Sequence, residues 1–417
     1  VQMDARLFRY LFENTSHAIV MTGCTWDKEA NQQIRYAYSC ETKHSNWRVS
    51  RRKKAKEILY SDGPIDLFVM GSFSIADIER LIYAIRYGKT DTVILPYVPP
   101  IQRFMLLQDI ALRGMGEYHS DVAEFIRAPY LYLVNSSVRK FYFIYGNGKI
   151  YQRKEKTWYP EHQFECQDEV ILNMIEELEG YRIPVVKAGY IIDNRMLFYF
   201  GYYGVNLHLI TKFVKQYLKE GPIEKFDERR LQKMLLLCKN EFGDPGMDSL
   251  TMFCSPIEVI ATKTDCVFNA IVIDKEDFCH ANIESDEGRC SLKCMLYNDY
   301  DVCHCHRTEE AELRAGVLLL GNVNLNKYMT ELKQRYHVIN DQIRAITLPN
   351  CGNKNNWNSE LMEFDVRKNA VFWICPLQSQ TPDKVLREIK SKNARYRIIG
   401  LNENYGSCFN GFLTEKL

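Results

Sequence analysis

The feature that most constrains the fold is a pair of apolar runs, separated by an amphipathic segment, between Ile65 and Val98. The runs "IDLFVMGS" and "DTVILPYV" are short and rich in β-branched and aromatic residues, which is typical of strands. The segment between them, "IADIERLIYAIRYG", carries its apolar residues at helical spacing and ends at Gly88, a common helix terminator. A strand–helix–strand unit of this kind predicts an α/β layer.

The rest of the chain extends this pattern in both directions. "SHAIVMTG" and "QIRYAYSC" predict strands before the unit, and the region after it predicts helix followed by a strand at "YLYLV". Residues 206–240 are strongly helical in pattern, and "DCVFNAIVID", "GVLLLGNV", "IRAITLP", "AVFWICPL" and "YRIIGLN" predict further strands. We interpret 1–417 as one domain, with a largely strand-then-helix middle region at 136–262.

Composition excludes some classes of protein. The 417 residues carry 54 basic and 53 acidic side chains, so the net charge of +1 gives no global attraction to nucleic acid or anionic lipid. No apolar stretch approaches the ~20 residues of a membrane helix, and the first residues lack a signal-peptide core. We therefore expect a cytoplasmic protein whose 14 cysteines are thiols or metal ligands rather than disulfides.

Four segments of the sequence form loops at the ends of predicted strands. "GSFSIADIERL" and "LLLGNVNL" each continue a strand, "ITLPNCGNKNNWN" runs from a strand into a Pro–Gly turn, and "CPLQSQTPDKVLREI" leads into a helix. In this order the loops resemble those of the metallo-β-lactamase family. The likeness is greatest to cytoplasmic members of that fold carried in bacterial anti-phage or mobile loci. The resemblance implies a four-layer αββα sandwich.

The family pattern in the first loop is Ser/Thr-His-x-His-x-Asp-His. Aligned on Asp77, its histidine positions become Phe73, Ile75 and Ile78. The family's bridging aspartate becomes Asn322, and its paired histidines become Asn350 and Cys351. In the fourth loop Pro382 matches, while Thr381 takes the place of a histidine.

These replacements remove the chemistry of a two-metal site. Holding two cations and activating a water between them requires imidazoles and carboxylates from several loops. Phenylalanine and isoleucine offer no lone pair, and asparagine is a weak neutral ligand. We expect Asp77 to act as a helix cap or a loop-fixing acceptor, and the apolar residues to fill the former cavity. The altered site consists of Phe73, Ile75, Asp77, Ile78, Asn322, Asn350 and Cys351.

A cluster of cysteines and histidines occupies 279–306, between two predicted strands. A small polar insertion cannot bury a core of its own, and four soft ligands in tetrahedral array would organise it around one structural Zn²⁺. The spacing Cys-x3-Cys followed by Cys-x-Cys is compatible with a zinc knuckle, although reduced thiols and a redox or catalytic metal remain alternatives. The proposed ligands are Cys290, Cys294, Cys303 and Cys305, with Cys279, His304 and His306 as substitutes.

The sequence thus predicts a catalytically inactive scaffold or binding protein, a pseudoenzyme without the histidine ligands of its relatives. The resemblance implies a protein partner in a defence or regulatory complex. One alternative is an active metal-dependent phosphodiesterase or nuclease with a rearranged site. Another is a nucleic-acid-binding module that uses the basic run at 48–56, where a solvated surface is the simpler interpretation. We expect no membrane association.

Overall fold

The computed structural model describes residues 7–14, 18–27, 32–41, 64–112, 120–151, 162–193, 196–218, 228–242, 249–256, 266–273, 316–364, 372–377, 383–392, 397–402 and 408–415. Within these residues, sixteen strands form a single mixed sheet. The strands are β1 (Leu7–Asn14), β2 (Ala18–Asp27), β3 (Gln32–Glu41), β4 (Leu67–Met70), β5 (Thr92–Pro96), β6 (Lys140–Asn147), β7 (His162–Cys166), β8 (Val185–Asp193), β9 (Met196–Tyr203), β10 (Ser249–Pro256), β11 (Cys266–Ile273), β12 (Gly316–Leu319), β13 (Ile343–Thr347), β14 (Phe372–Leu377), β15 (Arg397–Asn402) and β16 (Cys408–Glu415).

Helices lie between many of these strands. They are α1 (Ile75–Gly88), α2 (Pro100–Leu112), α3 (Ser120–Arg127), α4 (Pro129–Val134), α5 (Glu169–Glu179), α6 (Leu207–Leu218), α7 (Glu228–Phe242), α8 (Leu325–Tyr336) and α9 (Asp383–Lys392). Three short 3-10 helices follow α8 and β13 at His337–Gln342, Pro349–Gly352 and Ser359–Phe364. No helix in these ranges combines the length and the apolar character that crossing a membrane requires.

The strand order is β11-β16-β1-β2-β3-β4-β5-β6-β8-β9-β10-β12-β13-β14-β15, with β7 paired to β8. Two runs of parallel strands, β3 to β8 and β12 to β15, are joined by antiparallel pairs through β9 and β10. The sheet curls, so that strands far apart in this order come into contact. Leu250 at the start of β10 donates its backbone N–H to Gly71 O, directly after β4, at 2.8 Å. Asn322, after β12, likewise contacts Glu41 at the end of β3. The carboxyl ends of the two parallel runs therefore meet.

Alternating side chains of the strands bury both faces of the sheet. Leu67 and Val69 of β4 point into one apolar cluster that also receives Phe198 and Phe200 of β9. Phe68 of β4 points the other way, into a cluster formed with α1 and α3. A third cluster joins the opposite faces of β9 and β12 to α8 and α9. The predicted mixed α/β class is confirmed, whereas the four-layer sandwich stays a prediction.

Buried arginines hold helices to the sheet without leaving backbone carbonyls unpaired. Arg335 of α8 donates to Phe200 O at 2.5 Å and Ala188 O at 2.7 Å, and its guanidinium lies over the Tyr199 ring. Arg103 of α2 donates to the backbone after Tyr97 and forms a buried ion pair with Glu179. A buried guanidinium with all these hydrogen bonds fixes the orientation of its helix on the sheet, because any displacement of the helix breaks several charge-assisted bonds.

Several local predictions are confirmed and one is wrong. The predicted helix after β4 is α1, which ends at Gly88 as expected. The segment "YLYLV" belongs to helix α4 instead of a strand. Pro129 begins that helix, where its fixed φ suits the first turn, and Asn135 N–H donates to Leu131 O at its end. A short apolar run is ambiguous between the two structures, and here the proline decides.

A buried leucine on α8 provides a test of the third cluster. Leu332 is fully buried, whereas Leu236 of α7 is 60% exposed. Leu332→Ala should lower the free energy of unfolding by about 2–5 kcal/mol because it leaves a cavity under the helix. Leu236→Ala is the matched control and should change it by less than about 0.5 kcal/mol. Urea denaturation measures both, and equal losses would contradict this packing.

Candidate functional site

The altered site lies where the carboxyl ends of the two parallel runs meet. β4 ends at Met70, and the chain turns through Ser72 and Ser74 before α1 begins. Ser74 is the N-cap of α1, with its Oγ accepting from Asp77 N at 3.1 Å. The helix cap is therefore Ser74, and Asp77 lies in the first turn, where a negative charge suits the helix dipole.

The Asp77 carboxylate is fully buried, and five groups donate to it. Oδ1 accepts from Ser39 Oγ at 2.6 Å and from Arg80 Nη1 at 3.0 Å. Oδ2 accepts from Ser72 Oγ at 2.5 Å, from the Glu41 backbone N–H at 2.8 Å and from Ser74 Oγ at 2.9 Å. A carboxylate offers about four lone-pair sites, so this one is saturated by the chain itself.

Arg80 supplies the positive charge that balances Asp77. Its side chain is 3% exposed, and Nη1 also donates to Ser39 Oγ at 3.1 Å. In a hydrolytic two-metal site the carboxylate faces a cation bound from solution. Here the cation is a guanidinium one helical turn away on α1.

The three positions that the loop resemblance aligns with histidines belong to the apolar core or pack against it. Phe73 and Ile78 are fully buried, and Phe73 stacks on Phe125 of α3 with ring centroids 5.9 Å apart. Ile75, the first residue of α1, is partly buried and packs against the apolar cluster that includes residues of α1 and α3. Burial of these side chains stabilises the fold by roughly 1.5–3 kcal/mol each, a contribution that polar ligands could not make.

Asn322 uses both its backbone and its side chain to join the halves of the sheet. Its Nδ2 donates to Glu41 O at 2.5 Å, and its backbone N–H donates to Ser249 Oγ at 3.0 Å. The preceding Gly321 has φ of 56°, and a Cβ there would lie 2.6 Å from Ser249 Oγ. The glycine is required both by its conformation and by close packing.

The loop at Pro349–Gly352 lies at the same end of the sheet and contacts the loop after β12. Asn350 has φ of 45° and donates its backbone N–H to Gly321 O at 2.8 Å. Its Nδ2 donates to Asn356 Oδ1 at 3.2 Å, and Asn356 Nδ2 donates to Asn322 O at 3.0 Å. Cys351 lies in the 3-10 turn beside Asn350. Neutral amides, rather than imidazoles, therefore link these loops.

Glu41 is a member of the site that the sequence pattern did not identify. Its side chain is 8% exposed at the end of β3. Burial, followed by the negative charge of Asp77, raises the pKa of Glu41 to about 7, against the opposing effects of the Arg80 charge and of hydrogen bonds from the Ser74 side chain and the Ala76 backbone. In the sequence, the only signal was that Glu41 directly follows the predicted strand "QIRYAYSC".

Other predicted site residues lie outside the described residues. These are the zinc ligands Cys290, Cys294, Cys303 and Cys305, their substitutes Cys279, His304 and His306, the loop positions Thr381 and Pro382, and the basic run 48–56. Within the part of the chain that is described, no three histidine, cysteine or acidic residues converge as metal ligands. The structure thus brings together Asp77, Asn322 and Asn350, with the apolar positions packed beside Asp77.

Removing Arg80 should destabilise the protein, because the charge of Asp77 then stays buried without a partner. Arg80→Ala leaves the Asp77 carboxylate without a cation and should lower the free energy of unfolding by about 3–5 kcal/mol. Arg86 on the same helix pairs with Asp121 at the surface, with 48% of its side chain exposed. Arg86→Ala should change the free energy by only ~0–1 kcal/mol in the same denaturation measurement. A loss no greater at Arg80 than at Arg86 would refute the assigned role.

Glu41 should make stability depend on pH. Its pKa is raised from 4.5 to about 7, so between these values the folded protein holds a proton that the unfolded chain releases. This contribution is fully present below pH 4.5 and is lost as pH rises through about 7. It amounts to a few kcal/mol, on the order of 3.

Glu41→Gln should remove this dependence, so the difference in unfolding free energy between the two proteins should change as pH rises from 5 to about 8. Urea titrations at each pH measure it. Parallel pH profiles for the two proteins would show that Glu41 does not titrate in this range.

Comparisons with known proteins identify no family for this chain. No protein-family model, no curated protein and no solved structure matches the chain. The likeness to metallo-β-lactamases therefore rests on the loops and residues described above and stays a prediction.

Proposed function

We propose that the chain is a metallo-β-lactamase-like protein that acts as a binding scaffold rather than as a hydrolase at the Asp77 site. The observation that carries the proposal is the state of Asp77. Its carboxylate is buried, saturated by hydrogen bonds from the chain and neutralised by Arg80.

Hydrolysis by a metal pair requires a carboxylate with lone pairs free for cations and an open position for water. At Asp77, three serine hydroxyls, one backbone N–H and one guanidinium occupy those lone pairs. Phe73 and Ile78 are buried at positions where the family places imidazoles. Binding a metal here would require breaking the Asp77–Arg80 pair and leaving a buried guanidinium without its carboxylate, which is costly.

The packing of the sheet supports the αββα form of this proposal. One apolar cluster contains residues from both parallel runs, among them Val69 of β4 and Ile374 of β14. The other two clusters place helices against the opposite faces of those runs. Four layers, helix–sheet–sheet–helix, would account for all three clusters.

The partner that we propose is another protein of a defence or regulatory complex. This part rests on the loop resemblance described above. Nucleic acid is less favoured, since the net charge of the chain is only +1. The zinc knuckle at 279–306 belongs to the same proposal, as a structural element holding one Zn²⁺.

Metal content tests the scaffold against the hydrolase. In protein purified without added metal, elemental mass spectrometry should find about one zinc per chain. Cys290→Ser/Cys294→Ser should lose that zinc. Asp77→Asn, which keeps the shape of the side chain, should retain it.

Two outcomes would end the scaffold proposal. One is a second metal that is lost in Asp77→Asn, and the other is chelator-sensitive phosphodiester hydrolysis that disappears in the same variant. Arg86→Ala controls for effects of a surface change on the same helix.

A further inference from the structure

Strand β6 ends in an asparagine that is followed by a glycine, Asn147–Gly148. Asparagine is thermolabile because the backbone nitrogen of the next residue can attack its side-chain amide, and glycine hinders that attack least because it has no Cβ. Asn147 is exposed, so water reaches this end of the strand. The dipeptide is therefore a place where the chain is chemically labile.

The side chain of Asn147 bridges β6 to β9. Its Nδ2 donates to Tyr202 O at 2.9 Å, and its Oδ1 accepts from the Tyr202 backbone N–H at 2.8 Å. The pairing of β8 with β9 ends at Tyr190 and Tyr199 and does not extend to Tyr202. The amide of Asn147 thus makes both hydrogen bonds with Tyr202 that a strand residue would otherwise make.

The backbone of Gly148 is also held on both sides. Its N–H donates to Ala188 O at 3.0 Å, and its carbonyl oxygen accepts from Arg335 Nη1 at 3.2 Å. A Cβ on Gly148 would lie 2.9 Å from Ala188 O, so the close approach of the two strands requires glycine. Both residues of the labile dipeptide are therefore required by the packing.

The same contacts prevent the attack. To reach Asn147 Cγ, the Gly148 nitrogen must turn away from Ala188 O, and the Asn147 amide must leave Tyr202. This movement breaks one backbone hydrogen bond and both side-chain hydrogen bonds. The dipeptide can react only in molecules in which this part of the sheet has opened.

We propose that Asn147–Gly148 is a deamidation site that the fold keeps closed, and that it reacts only when β8 and β9 separate from the end of β6. In the reaction the Gly148 nitrogen forms a bond to Asn147 Cγ and the bond from Cγ to Nδ2 breaks. The Gly148 amide proton leaves with Nδ2 as ammonia. Water then opens the succinimide ring and gives aspartate or isoaspartate.

The modification is one-way because its products cannot restore the contacts. Aspartate has no donor for Tyr202 O, and its charged oxygen faces that carbonyl. Isoaspartate adds a carbon to the main chain, which moves Gly148 out of line with Ala188. A molecule that has opened and reacted here therefore stays destabilised at the junction of β6, β8 and β9.

Rates of deamidation test the closure. The full chain and a synthetic peptide of residues 143–152 are incubated in the same mildly alkaline buffer, and mass spectrometry follows the conversion of Asn147. If only opened molecules react, the chain converts more slowly than the peptide by the factor of the opening equilibrium. We expect a factor of at least about a hundred, equivalent to an opening free energy of ~2.8 kcal/mol. Any smaller factor would overturn the proposal.

Hydrogen exchange at Gly148 tests the mechanism on the same sample. Exchange of this amide requires its bond to Ala188 O to break, and deamidation requires the bonds to Tyr202 to break as well. The slowing of deamidation should therefore equal or exceed the protection factor of the Gly148 amide. Deamidation that is slowed less than exchange would mean that the attack occurs without opening, which would contradict the proposal.

Asn147→Asp mimics the product. It should lower the urea midpoint by roughly a few tenths of a molar, because a donor to Tyr202 O is lost and a charge is placed beside that carbonyl. Asn355→Asp introduces the same charge at an exposed position of the loop after β13 and should leave the midpoint nearly unchanged. Equal midpoints for Asn147→Asp and the unmodified protein would show that the modification is not one-way.

Discussion

The ion pair between Asp77 and Arg80 is the interaction on which the centre of this protein depends. Both side chains are almost wholly buried, so neither charge can be satisfied by water. Three serines and a backbone N–H complete the coordination of the carboxylate. A buried charge of this kind is tolerated only when it is paired and fully hydrogen-bonded, and it then fixes the position of every group that contacts it.

Those groups come from separate parts of the chain. Ser39 and Glu41 belong to β3, Ser72 and Ser74 to the turn after β4, and Arg80 to α1. Glu41 in turn accepts from Asn322, so the network continues into the second parallel run. The carboxylate thus connects the strand ends of one run to the loops of the other. A metal pair could perform the same joining task, and here hydrogen bonds between side chains and backbone perform it.

Local patterns in the sequence predicted the elements that depend on local physics. The helix Ile75–Gly88 follows from the spacing of its apolar residues and its terminal glycine. Asp77 and Arg80, an acid and a base at i and i+3, could also have been paired from the sequence alone. The bonds of Asp77 to Ser39 and Glu41 could not, because they join residues 38 and 36 positions apart whose proximity depends on strand order. The helix at "YLYLV" was missed because six residues are too few to show a period.

The hydrogen bond from Asn322 to Glu41 spans 281 residues of sequence, which has a consequence for how the protein is made. During synthesis from the N-terminus, β3 and α1 leave the ribosome long before the loop that follows β12. The Asp77–Arg80 pair and its hydrogen bonds to the serines can form early. The end of β3 at Glu41 stays open to water until Asn322 and the loop after it have been added. Contacts of such long range slow folding because chain entropy must be lost before they form. The two halves of the sheet can therefore lock together only after Asn322 has been synthesised.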